Sequence, residues 1–177
     1  MKSGNRFAIV RKSGVLLLAA AAVVGGMVFG IAGSASAATA PASAAAHHTG
    51  GQLLIAPPAP ANASSLSMGV AAVAPGISPA AASVRHGSPG DPINCGSGDL
   101  CPFVWDPVSN DWLVFYLYQC HTYALSNWHG VGGYVDSQTG DVTSTFYGQS
   151  HNVLASFKPS PGEHSYDWDP VWYIQNC

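Results

Sequence analysis

Four cysteines carry the clearest chemistry in this 177-residue chain: Cys95, Cys101, Cys120 and Cys177. An even number of thiols confined to the second half of a short chain reads as two disulfides once the protein is exported. Of the three possible pairings, Cys95 with Cys101 closes a tight loop that Gly96 and Gly98 allow to bend. That leaves Cys120 with the terminal residue Cys177. A zinc site on Cys120-His121 would need a second close-spaced cysteine, and none is there. His121, His129, His151 and His164 share this half with many Asp and Ser residues. No nucleophile elbow, zinc-protease helix or phosphate loop orders them, however, so no enzyme is expected. Asp167 and Asp169 flank Trp168 and read as a turn into Pro170 rather than as a glycosidase pair. Thr139-Gly140-Asp141-Val142-Thr143-Ser144 ends like a calcium motif but offers one carboxylate where calcium wants six to eight oxygens. No cofactor and no metal are expected. His47-His48 is too isolated to count as a site.

The elements that would position these residues are short β-type runs separated by turns. They are Leu100 to Trp105, Trp112 to Tyr118, Gly132 to Val135, Val142 to Tyr147, Val153 to Phe157 and Trp172 to Ile174. No amphipathic helix of three turns is present, and 122–128 offers one short turn at most. The reading is all-β, a small antiparallel Greek-key sandwich or barrel. Sixteen of the eighteen aromatics lie between Phe103 and Tyr173. In a domain poor in Leu and Ile, most of the five tryptophans must form the core. Two turns between strong strands are candidate binding loops: 106–111, with Asp106, Asn110 and Asp111, and 136–141, with Asp136, Gln138 and Asp141.

Composition divides the chain into three. Residues 1–37 read as a signal peptide, with basic Lys2, Arg6, Arg11 and Lys12, an apolar run from Val15 to Ile31, and the small residues Ala35-Ser36-Ala37 before cleavage. Residues 38–90 are rich in Ala, Pro and Ser, with one aliphatic patch at Leu53-Leu54-Ile55. They are expected to form a disordered linker, having too little apolar surface to offset backbone entropy. Residues 91–177 are the expected folded domain. After cleavage only Arg85 and Lys158 remain basic against nine carboxylates, a net charge of −7 with histidines neutral. That charge argues against nucleic acid, which needs a cationic surface, and against anionic membranes. A secreted, extracellular monomer with no stable membrane insertion is expected.

Within 91–177 several strings resemble actinobacterial proteins of peptidase inhibitor family I36. They are Cys95 to Cys101, with the pattern C-x-x-G-x-x-C; Tyr123 to Gly132; Gln138-Thr139; Thr145 to Gly148; and Trp168 to Ile174 with Cys177. The resemblance implies a βγ-crystallin-like Greek-key fold and inhibition of an extracellular protease of the thermolysin type through an exposed loop. The inhibitor pattern braces its reactive loop with a second short cysteine pair. Here the second pair is widely spaced, so no reactive bond is carried over. The alternatives are a non-catalytic module for cell-wall sugar or an envelope protein, with clustered exposed aromatics, and a calcium-stabilised structural protein.

Overall fold

The computed structural model describes residues 50–64 and 72–177, so the expected signal peptide and His47-His48 lie outside the described residues. Apart from Ala63 and Ser64, which are helical, the elements among the described residues are strands. In chain order they are β1 (Gly51–Ile55), β2 (Gly76–Ser78), β3 (Ser83–Gly87), β4 (Pro92–Gly96), β5 (Leu100–Asp106) and β6 (Asp111–Tyr116). β7 (Thr122–Ser126), β8 (Val131–Asp136), β9 (Ser144–Tyr147), β10 (Val153–Phe157), β11 (Glu163–Asp167) and β12 (Tyr173–Gln175) follow. The expected all-β fold with disulfides Cys95–Cys101 and Cys120–Cys177 is what the chain adopts.

The strands form two five-stranded antiparallel sheets, ordered β11-β8-β5-β6-β3 and β10-β9-β12-β7-β2, and a separate β1-β4 ribbon. The order has a simple generator. β5 and β6 make a hairpin in the first sheet, β7 crosses to the second, and β8 returns beside β5. The next four strands repeat the path from the other side. β9 and β10 make a hairpin, β11 crosses to the first sheet, and β12 returns beside β9. These are two Greek keys, each lending its third strand to the other's sheet. That is the sandwich expected for a βγ-crystallin-like domain. β3 and β2 extend the outer edges of β6 and β7.

The core between the sheets holds Leu100, Val104, Phe115, Tyr123, Trp128, Phe146, Trp168 and Ile174. Trp128 and Trp168 follow the third strand of each key and meet edge to face at 5.0 Å. The Trp168 indole N–H donates to the Phe103 carbonyl at 2.8 Å, satisfying its one polar group. β8 lies close enough to β5 that a Cβ on Gly132 would stand 2.3 Å from the Phe103 carbonyl oxygen. Four tryptophans are buried, as expected, and Trp172 is exposed.

A second apolar cluster covers the other face of the first sheet. There Phe103, Trp105, Trp112 and Val135 pack under Leu54, Ile93 and Cys95 from the ribbon. β5 is therefore buried on both sides along its whole length, which is why it reads as a continuous apolar run rather than an alternation.

This corrects the expected boundary at residue 91. Within the stretch read as disordered linker, 51–55, 76–78 and 83–87 are strands paired into the fold. The sparse apolar surface misled because Leu54, with the small Ala56 and Ala63, is enough to close the outer cluster, while β4, β6 and β7 supply the backbone partners. Two shorter expectations also change. Residues 122–126 form β7 rather than a turn, and polar 163–167 forms β11. Its backbone is ordered by pairing with β8 and not by its own burial. Among the described residues no helix is long and apolar enough to cross a membrane.

Candidate functional site

The turn between β5 and β6 is held from within by its own first residue. Asp106 is 2% exposed. Its Oδ1 accepts the Val108 N–H at 2.9 Å and its Oδ2 accepts the Ser109 hydroxyl. This is an Asx-turn, a carboxylate standing in for backbone. The Asp106 carbonyl takes the Asn110 N–H at 2.9 Å, and Asn110 adopts a left-handed φ of 57° that asparagine tolerates. At the far side Asp111 Oδ1 lies 2.8 Å from Ser109 Oγ, and the carboxylate faces His86 Nδ1 at 2.9 and 3.1 Å. Ser109 Oγ lies 3.3 Å from the same nitrogen. His86 arrives on β3, laid antiparallel to β6. Between these fastenings Val108 stands 56% exposed at the tip.

The second candidate loop has a different character. Asp136 is fully buried, and its carboxyl is pushed above the ordinary range by loss of water. The Gln138 N–H and the nearby His164 partly oppose that shift. Oδ1 takes the Gln138 N–H at 3.1 Å, and Oδ2 has no partner. The Gln138 side chain turns inward too, accepting from Ser144 at 2.7 Å and donating to the Asn176 carbonyl. Thr139, Gly140 and Asp141 face solvent, with Asp141 paired to Lys158. Buried Asp136 and half-buried Gln138 thus position the loop through bonds made within the fold. The calcium-like string does not converge either, since Ser144 points into the fold while Asp141 pairs with lysine outside it.

The remaining histidines are dispersed. His151 stacks on Tyr173 at 4.2 Å and His121 meets Tyr123 edge-on at 5.8 Å. His164 stacks on Tyr134 at 5.0 Å while its Nε2 meets Ser160 Oγ at 2.9 Å. Among the described residues no carboxylate is hydrogen-bonded to His164: Asp136 Oδ1 takes the Gln138 N–H and Oδ2 has no partner. Asp167 takes the Asp169 N–H at 3.2 Å, and Asp169 takes the Gly130 N–H at 3.0 Å and lies 3.5 Å from His129. Both carboxylates are turn-makers. The exposed aromatics do not form a platform. Trp172 precedes β12, whereas Tyr118 borders a cleft at its other end with Asn176 and Cys177.

Of the six loop residues singled out, Asp106, Asn110 and Asp111 belong to one fastened hairpin. Asp136 is internal, Gln138 is half-buried with its side chain bonded inward, and Asp141 is in a surface ion pair. Val108 and Ser109, inside the expected loop 106–111 but not singled out, complete the hairpin with His86, which was missed. Val108 and Ser109 are ordinary turn residues in sequence. His86 enters only through the β3–β6 pairing, which no local pattern announces. No family model, no curated protein and no solved structure matches the chain.

Proposed function

We propose that this protein is a secreted peptidase inhibitor that presents residues 107–110 to the active site of an extracellular protease. The observation that carries the reading is Val108, an exposed aliphatic side chain on a turn tied at both ends by Asp106, Ser109 and Asp111. A loop already ordered before binding loses little further entropy on docking. An aliphatic tip fits the apolar specificity pocket of an endoprotease. Two closed disulfides and no free cysteine fit an oxidising, extracellular compartment. The resemblance to inhibitor family I36 points the same way and names thermolysin-type metalloproteases as the first target class.

The test is a titration of the purified chain against a thermolysin-type metalloprotease and a subtilisin-type serine protease. Stoichiometric inhibition of one class, lost in Val108→Asp while the fold is retained, is the expected result. Inhibition that survives Val108→Asp would move the contact to another loop. Absence of inhibition by the oxidised, folded chain would end the inhibitor reading.

A further inference from the structure

The same hairpin gathers more negative charge than its protein surroundings neutralise. Asp106, Asp111 and His86 each offer one ligand atom, and those atoms all lie within 4.8 Å of one another. Ser109 Oγ stands among them. Its single proton cannot serve both carboxylates, so one of the two oxygen–oxygen contacts lacks a hydrogen. Asp106 is withdrawn from water, where an anion needs a positive partner.

No lysine or arginine of the described residues supplies one. Arg85 precedes His86 on β3, so its side chain leaves from the opposite face, where it bonds to Tyr116. Lys158 is occupied with Asp141. Among the described residues the imidazole is the one basic group facing the two acids.

We infer that His86 Nδ1, Asp106 Oδ2 and Asp111 Oδ1, with Ser109 Oγ, bind a divalent first-row transition ion, with zinc as the probe. The donor set decides the class: one imidazole with carboxylate oxygens suits zinc and its neighbours, whereas calcium takes six to eight oxygens. Bonds of about 2.1 Å at tetrahedral angles put ligand atoms about 3.4 Å apart. His86 Nδ1, 2.9 Å from Asp111 Oδ1, and Ser109 Oγ, 2.8 Å from the same oxygen, therefore need to part from it by about 0.5 Å around an ion. Bound there, the ion ties β3 to the β5–β6 hairpin and fixes the base of the turn that carries Val108. The site stands whether or not that turn inhibits a protease, and its test uses no protease.

Zinc is titrated calorimetrically into the metal-stripped full chain, with thermal melts in parallel. One equivalent binds and raises Tm. His86→Ala and Asp111→Asn each weaken binding by at least about 100-fold, more than the loss of an outer-shell group gives, and a His47→Ala/His48→Ala variant binds like the parent. His86 has a mostly exposed side chain, so its truncation leaves the fold intact, as circular dichroism verifies. Cobalt gives an independent reading on the unmutated chain, a visible d–d band of nitrogen-and-oxygen coordination that zinc displaces. No binding, no cobalt band, or affinity unchanged in both His86→Ala and Asp111→Asn overturns the site.

Discussion

Asp136 shows how one side chain can set a pH dependence without belonging to any active site. Folding takes its carboxylate out of water and gives it one hydrogen bond, from the Gln138 N–H, leaving Oδ2 unpartnered. Burial therefore raises its pKa above the ordinary 3.8. A raised folded-state value means that the native state holds this proton more tightly than the unfolded chain does. The resulting stabilisation is fully present below about pH 3.8 and is lost as pH rises through the folded value. Asp136→Asn removes the charge but keeps the shape and the oxygen that Gln138 uses. Urea denaturation of both proteins from pH 3 to pH 7 should show the difference in stability shifting toward the asparagine variant as pH rises. A difference that stays constant across that range would mean that Asp136 titrates alike in the two states. At this scale the sequence was only partly legible. Asp136 was visible as a turn residue, but burial of its carboxylate follows from β8 running one residue further than its apolar stretch, Gly132 to Val135.

Among the elements, β1 is the sharpest test of where the folded part begins. Leu53 and Leu54 are neighbours with opposite environments, 63% and 1% exposed. Strand alternation turns Leu54 onto the aromatic face of the first sheet and Leu53 away from it. Leu54→Ala should cost about 2–5 kcal/mol, the range for emptying a packed core position, whereas Leu53→Ala should stay within about 0.5 kcal/mol. A free linker would give two neutral substitutions, so equal midpoints in a denaturant titration would return residues 51–55 to the linker. The strands that sequence revealed best, β5, β6 and β10, are dense in aromatic or aliphatic residues. β1 showed its aliphatic patch, yet Ala- and Pro-rich flanks hid its meaning. β11, Glu-His-Ser-Tyr-Asp, is ordered by its neighbour β8 and carries almost no strand signal of its own. The hairpin turn 106–111 was legible from its Pro, Asn and Asp residues. Its fastening by His86 was not, because that contact is made between β3 and β6 rather than along the chain.

At the scale of the whole molecule, two interlocked Greek keys leave β12 to be secured separately. β12 is the central strand of its sheet and the last element to join it, between β9 and β7. Two devices hold its end. Asn176 is fully buried, donating to the Leu117 carbonyl at 2.9 Å and accepting the His121 N–H at 3.0 Å. Beside it Cys177 is bonded to Cys120 across 57 residues, a span that encloses β7 through β12. Chain entropy assigns that crosslink about 4 kcal/mol and the six-residue Cys95–Cys101 link about 2 kcal/mol. The two differ in setting as well as in length. Cys95 and Cys101 are both fully buried in the outer cluster, so replacing them with alanine also empties core volume. Cys120 is exposed and Cys177 half-buried, so Cys120→Ala/Cys177→Ala reports on the unfolded chain with little loss of packing. Its loss in a urea titration should approach the entropic figure, while Cys95→Ala/Cys101→Ala should exceed its own. A loss near zero for Cys120→Ala/Cys177→Ala would mean that the denatured chain already keeps these ends together, with Asn176 alone securing β12 in the native sheet.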